Sequence, residues 1–298
     1  MKDKERGCLI GLAVGDALGA PVEFKSPGSF SPITEYRSGG PFSLMACEWT
    51  DDTSMALALA DSLGNGWNLN DQADKYLDWW QKGKYSVKGF CFDIGGTTRY
   101  SLSRYDKIRD ATKCADPEAE SSGNGSIMRL APIPIKFHNL SREELATKAR
   151  ESSLVTHASN QCRSACELLA TTCAALINGA TKEEALNLPF SGLDPLVQKR
   201  IVEEKRYLKK NPPDIKGSGW VIQSLEAALW AFAKGKDFEE AVLLAVNLGD
   251  DADSTGAVCG QLAGACYGES GIPQRWRDKL MHKDMIEEAL TRLGIQNG

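Results

Sequence analysis

The sequence lacks the segments that are typical of membrane, secreted and nucleic-acid-binding proteins. Residues 1–6 are nearly all charged, and the apolar stretch that follows is broken by Asp16 and ends at Pro21, so we expect neither a signal peptide nor a membrane span. Basic runs are absent too, and 35 Lys and Arg against 40 Asp and Glu leave a formal charge of −5. We therefore expect no nucleic-acid partner.

Zinc-ligand patterns are also missing. The 9 cysteines are an odd number without a C-x-x-C pair, and the 3 histidines, at positions 138, 157 and 282, are scattered. This excludes a disulfide framework and a cysteine–histidine zinc site, and it is typical of reduced thiols. We expect a cytoplasmic protein.

Alternation of apolar and polar residues, which indicates half-buried strands, extends over no long run. Apolar residues instead recur at steps of three and four, which predicts helices over 55–63, 145–154, 165–177, 196–208, 220–232, 241–248 and 285–293. Ser141 with Glu144, and Thr181 with Glu184, have capping-box spacing and mark helix starts. No repeat or composition break divides the chain. We therefore predict an all-α fold, a compact orthogonal helix bundle that forms a single domain over residues 1–298.

Glycine recurs at every fourth position in two segments, 7–19 and 256–268. Each glycine inside a helix costs roughly 1 kcal/mol relative to alanine, so the pattern needs a physical reason. One interpretation is a pair of loops. The interleaved Leu, Ala and Val favour two helices whose glycine faces pack closely and antiparallel. Such a contact would bring Glu23, just after the first segment, to the residues that precede the second.

Acidic residues cluster before two predicted helices. Thr50, Asp51 and Asp52 precede the helix over 55–63, where a helix cap is the simple explanation. Asp250, Asp251 and Asp253 crowd three aspartates into four positions, with Ser254 next to them, and a cap needs only one. A hard cation such as Mg²⁺ or Mn²⁺ would offset their repulsion, because it prefers oxygen ligands. Together the two clusters predict a two-metal site in a central cleft.

Five blocks of the sequence make this more specific. They are GLAVGDALGAPVEF at 11–24, WTDDT at 49–53, GNGSIMR at 123–129, THAS at 156–159 and GDDADS at 249–254. In this order they resemble the ADP-ribosylglycohydrolase family. The resemblance implies an all-α fold with a binuclear Mg²⁺ or Mn²⁺ centre that removes ADP-ribose from modified protein side chains.

The resemblance also assigns residues to roles. It implies that the metal ligands are Thr50, Asp51, Asp52, Asp251, Asp253 and Ser254, with serine where the family usually has threonine. Glu23 and Asp253 would carry out proton transfer, and Glu23 would also contact substrate. The other substrate contacts would be Asp93, Gly95 and Gly96 beside ribose and phosphate, Asn124, Gly125 and Ser126 as a diphosphate cradle, His157 near the diphosphate, and Trp220 on adenine. Without the family, an ordinary turn, a structural histidine and a buried tryptophan explain the last three groups.

The resemblance implies an ADP-ribosylated protein as substrate, arginine as the modified residue and ADP-ribose as product. Hydrolysis of another O- or N-linked ADP-ribose stays open, because the leaving group touches only variable loops. A second class of function is a catalytically inactive ADP-ribose-binding or crystallin-like structural protein. The complete set of clustered carboxylates favours the enzyme, since a structural protein has no physical reason to keep it. We expect a monomer.

Overall fold

The structure is a computed structural model that describes residues 1–295. The last three residues of the predicted domain, 296–298, lie outside the described residues. The helices are α1 (Lys2–Gly19), α2 (Asp51–Gly64), α3 (Leu69–Lys82), α4 (Gly96–Ile108), α5 (Pro132–Phe137), α6 (Arg142–Leu154), α7 (Asn160–Ile177), α8 (Lys182–Leu186), α9 (Pro195–Val197), α10 (Arg206–Lys209), α11 (Val221–Lys234), α12 (Phe238–Val246), α13 (Ala252–Tyr267), α14 (Gln274–Lys279) and α15 (Lys283–Leu293).

The all-α prediction is confirmed. Residues 1–295 contain no β-strand, only isolated bridges between Gly39 and Leu44 and between Gly123 and Trp220. Buried side chains from nearly every long helix form one continuous hydrophobic cluster. In this part of the chain no helix is both long and apolar enough to cross a bilayer.

Most of the predicted helices and both capping boxes are present. The side chains of Ser141 and Thr181 each accept a hydrogen bond from the backbone N–H three residues on. The side chains of Glu144 and Glu184 accept in turn from the backbone N–H groups of Ser141 and Thr181. The continuous helix predicted over 196–208 is wrong. The chain forms α9, a π-helical turn over Gln198–Glu203 and then α10, with a break at Lys205, whose φ is 46°. Lys205 donates from Nζ to carbonyl and amide oxygens at the end of α8, a tertiary contact that apolar spacing does not report.

The two glycine-rich segments bring the backbones of α1 and α13 into close contact. A Cβ added at Gly11 would collide with the carbonyl oxygen of Gly260, and one at Gly15 with that of Gly256. Positions rise along α1 as they fall along α13, so the helices run antiparallel, as predicted. Gly268 follows the end of α13 with a φ of 75° and ends the helix, and it still contacts α1, because a Cβ added at Gly7 would lie 2.5 Å from the Gly268 carbonyl carbon.

Three segments of the chain place polar residues at the same end of the α1–α13 pair. The short 3₁₀ helix Ala20–Val22 leads from α1 directly into Glu23. Thr50 is the N-cap residue of α2, and Asp251 is the N-cap residue of α13. Because α1 ends where α13 begins, Glu23 reaches the aspartates by packing alone.

Candidate functional site

Carboxylates from four segments of the chain meet at the starts of α2 and α13. Carboxylate oxygens lie within 4.8 Å of one another in each of three overlapping groups, all of which contain Asp253: Asp16, Asp52 and Asp253; Glu23, Asp251 and Asp253; and Asp51, Asp93 and Asp253. The two acidic clusters of the sequence are therefore one cluster in space. Glu23 belongs to it, as the glycine contact predicted.

The Thr50 hydroxyl shows that this cluster holds more acceptors than donors. Thr50 Oγ1 lies 2.9 Å from Asp16 Oδ1 and 3.2 Å from both Asp52 Oδ2 and Asp253 Oδ2. A hydroxyl has one proton and can donate to only one of these oxygens. The other close oxygen pairs need a proton or a cation between them.

Several buried oxygens at the centre have no partner at all. Within residues 1–295, no hydrogen-bond donor reaches Glu23 Oε2, Asp52 Oδ1 or Asp253 Oδ1. Glu23 is 4% exposed, and Asp52 and Asp253 are each 1% exposed. Leaving a buried charged oxygen unpaired is expensive, so these atoms fit ligands of a hard cation. The donor set is all oxygen, which is what Mg²⁺ and Mn²⁺ prefer.

The electrostatics of the cluster agree with this fit. Burial first, and then repulsion from neighbouring carboxylates, raises the pKa of Glu23 to about 10. Burial likewise raises the pKa of Asp93 to about 7. The pKa values of Asp51, Asp52 and Asp253 are raised well above the usual range for the same reasons. Bound cations would reverse this effect by favouring the ionised carboxylates.

Asp16 is a site residue that the sequence reasoning missed. It is fully buried on α1 and accepts hydrogen bonds from the backbone N–H groups and the hydroxyls of both Thr50 and Thr53. Asp16 thereby sets the position of the first turn of α2. The available signal was a single charged residue inside the first glycine-rich segment, where an apolar helix face tolerates charge least.

A cavity of about 240 Å³ opens beside the cluster. Glu23, Asp51, Asp251, Asp253 and Ser254 line its acidic end, while Thr50 and Asp52 lie deeper, against Asp16 and Asp253. Asp93 lines the cavity as part of the acidic cluster, and the remaining wall contains Gly95, Gly96, Asn124, Gly125 and His157; all six were predicted substrate contacts. The structure therefore places most of the predicted site around one cavity.

The beginning of α4 forms part of this wall. Gly95 is its N-cap residue, no side chain caps it, and Gly95 to Thr98 line the cavity. Amide N–H groups in the first turn of a helix have no partner within the helix, and they attract anions. This geometry suits a diphosphate.

Asn124 makes a contact that the sequence did not indicate. Its Nδ2 donates to Asp251 Oδ2 at 2.7 Å, so this side chain holds a carboxylate of the acidic cluster. Gly125 leaves space for the ring of His157, because an added Cβ would lie 2.7 Å from His157 Cε1.

The structure does not bring the side chains of Ser126 and Trp220 to the cavity wall. Ser126 is 2% exposed, and its hydroxyl accepts from Ser153 Oγ at 3.0 Å behind the wall. Trp220 is half-buried, its Nε1 donates to Gln161 Oε1 at 2.8 Å, and the Arg200 guanidinium lies 5.0 Å from its ring centre.

Comparisons with known proteins agree with the geometry. The sequence profile described as ADP-ribosylglycohydrolase matches residues 1–297. The chain is 40% identical to the ADP-ribosylarginine hydrolase Tri1 of Serratia proteamaculans over 98% of this chain and 79% of that protein. It is 31% identical to the ADP-ribosyl-[dinitrogen reductase] glycohydrolase of Rhodospirillum rubrum over 97% of this chain and 94% of that protein. A solved structure described as an ADP-ribosylglycohydrolase-related protein complex superposes with a TM-score of 0.87 at 40% identity and covers 99% of both chains. The chain belongs to the ADP-ribosylglycohydrolase family.

Proposed function

We propose that this protein is a metal-dependent hydrolase that releases ADP-ribose from ADP-ribosylated arginine side chains of proteins. The observation that carries the proposal is the set of unpaired buried oxygens on Glu23 and Asp253, which line the cavity, and on Asp52 behind them. The name of the Serratia relative, an ADP-ribosylarginine hydrolase, supports arginine as the acceptor.

The residues present fit two Mg²⁺ or Mn²⁺ ions. Thr50, Asp51, Asp52, Asp251, Asp253 and Ser254 would hold them, and Asp16 and Asn124 position Thr50 and Asp251. Such ions would supply positive charge that orients the ribose hydroxyls and eases deprotonation of the attacking water.

The chain's own carboxyl groups move the protons. Hydrolysis breaks the bond between the anomeric carbon and the guanidine nitrogen, and water supplies the new oxygen. One proton leaves the water and another reaches the departing nitrogen, and Glu23 and Asp253 are the groups that exchange them.

The acidic end of the cavity also favours arginine over an uncharged acceptor. Glu23, Asp51 and Asp93 line the cavity and repel one another. A modified guanidinium is a cation, whereas a modified serine contributes no charge. Carboxylates whose charge the bound cations leave uncompensated would attract the guanidinium, and the N–H groups at the start of α4 would attract the diphosphate.

The test is release of ADP-ribose from arginine-linked, serine-linked and poly-linked substrates, with EDTA and with added Mg²⁺ or Mn²⁺. We expect free ADP-ribose from the arginine-linked substrate, loss of release in EDTA and recovery with either cation. Release of ADP-ribose from the serine-linked substrate alone would contradict arginine as the modified residue. Binding of ADP-ribose without turnover of any substrate would instead favour an inactive binding protein.

We also propose that the chain acts as a cytoplasmic monomer of one domain. The odd number of cysteines and the absence of disulfides in the described residues support a reducing environment. Size-exclusion chromatography with light scattering measures the mass of the particle, and a dimer would contradict the oligomeric state.

A further inference from the structure

A chain of hydrogen bonds lies behind the wall of the cavity. Arg129 Nη2 donates to Thr156 Oγ1 at 2.7 Å, and Thr156 Oγ1 lies 2.8 Å from His157 Nδ1. The three residues are buried, with 1%, 0% and 2% of their surface exposed. Water cannot replace these contacts, so each proton in the chain has a position set by the protein.

Arg129 is an unusual origin for such a chain. Its guanidinium has no carboxylate partner among residues 1–295, and it lies 4.3 Å from the ring centre of Tyr76 with Nη1 near Met55 Sδ. A guanidinium can only donate hydrogen bonds and does not lose its proton in proteins. The direction of the first hydrogen bond, from Arg129 to Thr156, is therefore fixed.

The direction of the second hydrogen bond follows from counting protons. The Thr156 hydroxyl has one proton, and its oxygen already accepts from Arg129. In the described residues, no acceptor other than His157 Nδ1 is within hydrogen-bond distance of this hydroxyl. If Nδ1 carried a proton, the hydroxyl proton of Thr156 would be buried without an acceptor. This cost shifts the tautomer equilibrium of His157 away from the Nδ1–H form by roughly tenfold or more.

We propose that Arg129 and Thr156 are positioning residues that fix His157 in the tautomer with a bare Nδ1 and a protonated Nε2. The inference rests on the proposed function for its purpose: the Nε2–H donates to a phosphate oxygen of ADP-ribose. His157 lines the cavity, and in the part of the chain that the structure describes its ring makes one hydrogen bond, through Nδ1. His157 then serves as a neutral donor and cannot act as a general base.

Two further observations support this role. Burial and the nearby charge of Arg129 lower the pKa of His157 to about 3, so the ring is neutral at pH 7. The ring edge that carries Nε2 faces Gly123 and Gly125, and a Cβ at Gly125 would lie 3.0 Å from Nε2. With glycine at both positions, no side chain from them covers this edge of the ring.

Long-range ¹H–¹⁵N NMR of the imidazole nitrogens tests the proposal on the full chain in EDTA and without ligand. The spectrum of a His157→Gln protein assigns the His157 signals. We expect one neutral form at pH 7, with the proton on Nε2. A proton on Nδ1, or a doubly protonated ring, would overturn the proposal. This spectrum requires neither substrate nor metal. The tautomer proposal can therefore be wrong while arginine hydrolysis is observed, and it can be right while no hydrolysis is observed.

A pair of variants separates positioning from general stability. Thr156→Val removes the hydroxyl and keeps the shape, so a fraction of the Nδ1–H form should appear and the Kd for ADP-ribose should rise roughly tenfold. Thr156→Ser keeps the hydroxyl and should retain both the wild-type spectrum and the wild-type Kd. An unchanged tautomer in folded Thr156→Val would contradict the role of Thr156. If that variant does not fold, the wild-type spectrum decides alone.

Discussion

The two ends of helix α2 place the same residue type in opposite surroundings. Asp61, in the last turns, accepts from Tyr85 at 2.6 Å and lies 3.1 Å from Lys75 Nζ and 3.0 Å from Arg292 Nε. These partners hold the pKa of Asp61 well below its usual range. Asp52, in the first turn, lies among other carboxylates, and burial and repulsion raise its pKa.

The difference separates a structural carboxylate from a functional one. A negative charge is unfavourable near the C-terminus of a helix, yet the chain gives Asp61 several donors. At the N-terminus, where the helix dipole helps, the chain adds Asp16 and Asp253 to Asp52 and provides no cation among the described residues that bonds to them. The protein's own side chains neutralise Asp61, whereas Asp52 is left for a cation from outside the chain. Buried carboxylates without partners are typical of a functional site.

The largest expected effect comes from removing the charge at the acidic end. Asp52→Asn, or Asp253→Ala, should lower the rate of ADP-ribose release at least about a thousandfold, because several kcal/mol of electrostatic stabilisation disappear with the cation. The fold should be retained, as measured by circular dichroism. Asp61→Asn is the matched control and should retain activity. Equal losses in the two variants would remove the distinction between the ends.

The second effect tests how α1 carries Asp16 and Glu23 to this end. Gly15→Leu or Gly260→Leu should lower the free energy of unfolding by more than about 2 kcal/mol and abolish activity, because the new side chain meets the backbone of the partner helix. Denaturant unfolding measures the change. Gly96→Ala is the stability control, since nothing lies within 4 Å of a Cβ added there. A stable, active Gly15→Leu protein would show that the close contact is dispensable.

A smaller effect should follow at the other end. Asp61→Asn keeps an acceptor for Tyr85 but loses the charge opposite Lys75, Lys84 and Arg292, and we expect a loss of about 1 kcal/mol because these groups are partly exposed. Thermal unfolding checks this. A stabilised Asp61→Asn protein would mean that desolvation outweighs the ion pairs.

The pH dependence of stability should differ in sign between the ends. Without metal, Glu23 and Asp93 have raised pKa values of about 10 and about 7, so the native state binds more protons than the unfolded state. Stability should therefore fall as pH rises from 5 to 8. The partners that lower the pKa of Asp61 stabilise the fold at every pH above its unfolded pKa, and this stabilisation is lost only in acid. Calorimetry in EDTA gives the slope, and Mg²⁺ or Mn²⁺ should raise the melting temperature most at pH 8. A metal-free protein that becomes more stable toward pH 8 would contradict the raised pKa values.

Local patterns account for much of the architecture. Helical periodicity and capping boxes depend on neighbours three and four residues away, so they can be read from the chain, as Ser141 and Thr181 show. Glycine at every fourth position likewise indicates a helix face without side chains. This pattern in both segments was enough to predict that the two helices pack antiparallel. The break at Lys205 could not be read in this way, because it depends on contacts with the end of α8.

The sequence by itself determined most of the long helices, the glycine contact and the acidic residues that crowd two helix starts. Only the tertiary structure decided which charges are neutralised and by what. Asp16 reaches Thr50 across 34 positions, Asn124 reaches Asp251 across 127, and Arg292 reaches Asp61 across 231. The same packing turned the Ser126 hydroxyl away from the cavity. The physical reason is that an aspartate's role depends on the charges within a few ångströms of it, and packing between distant segments brings those charges together.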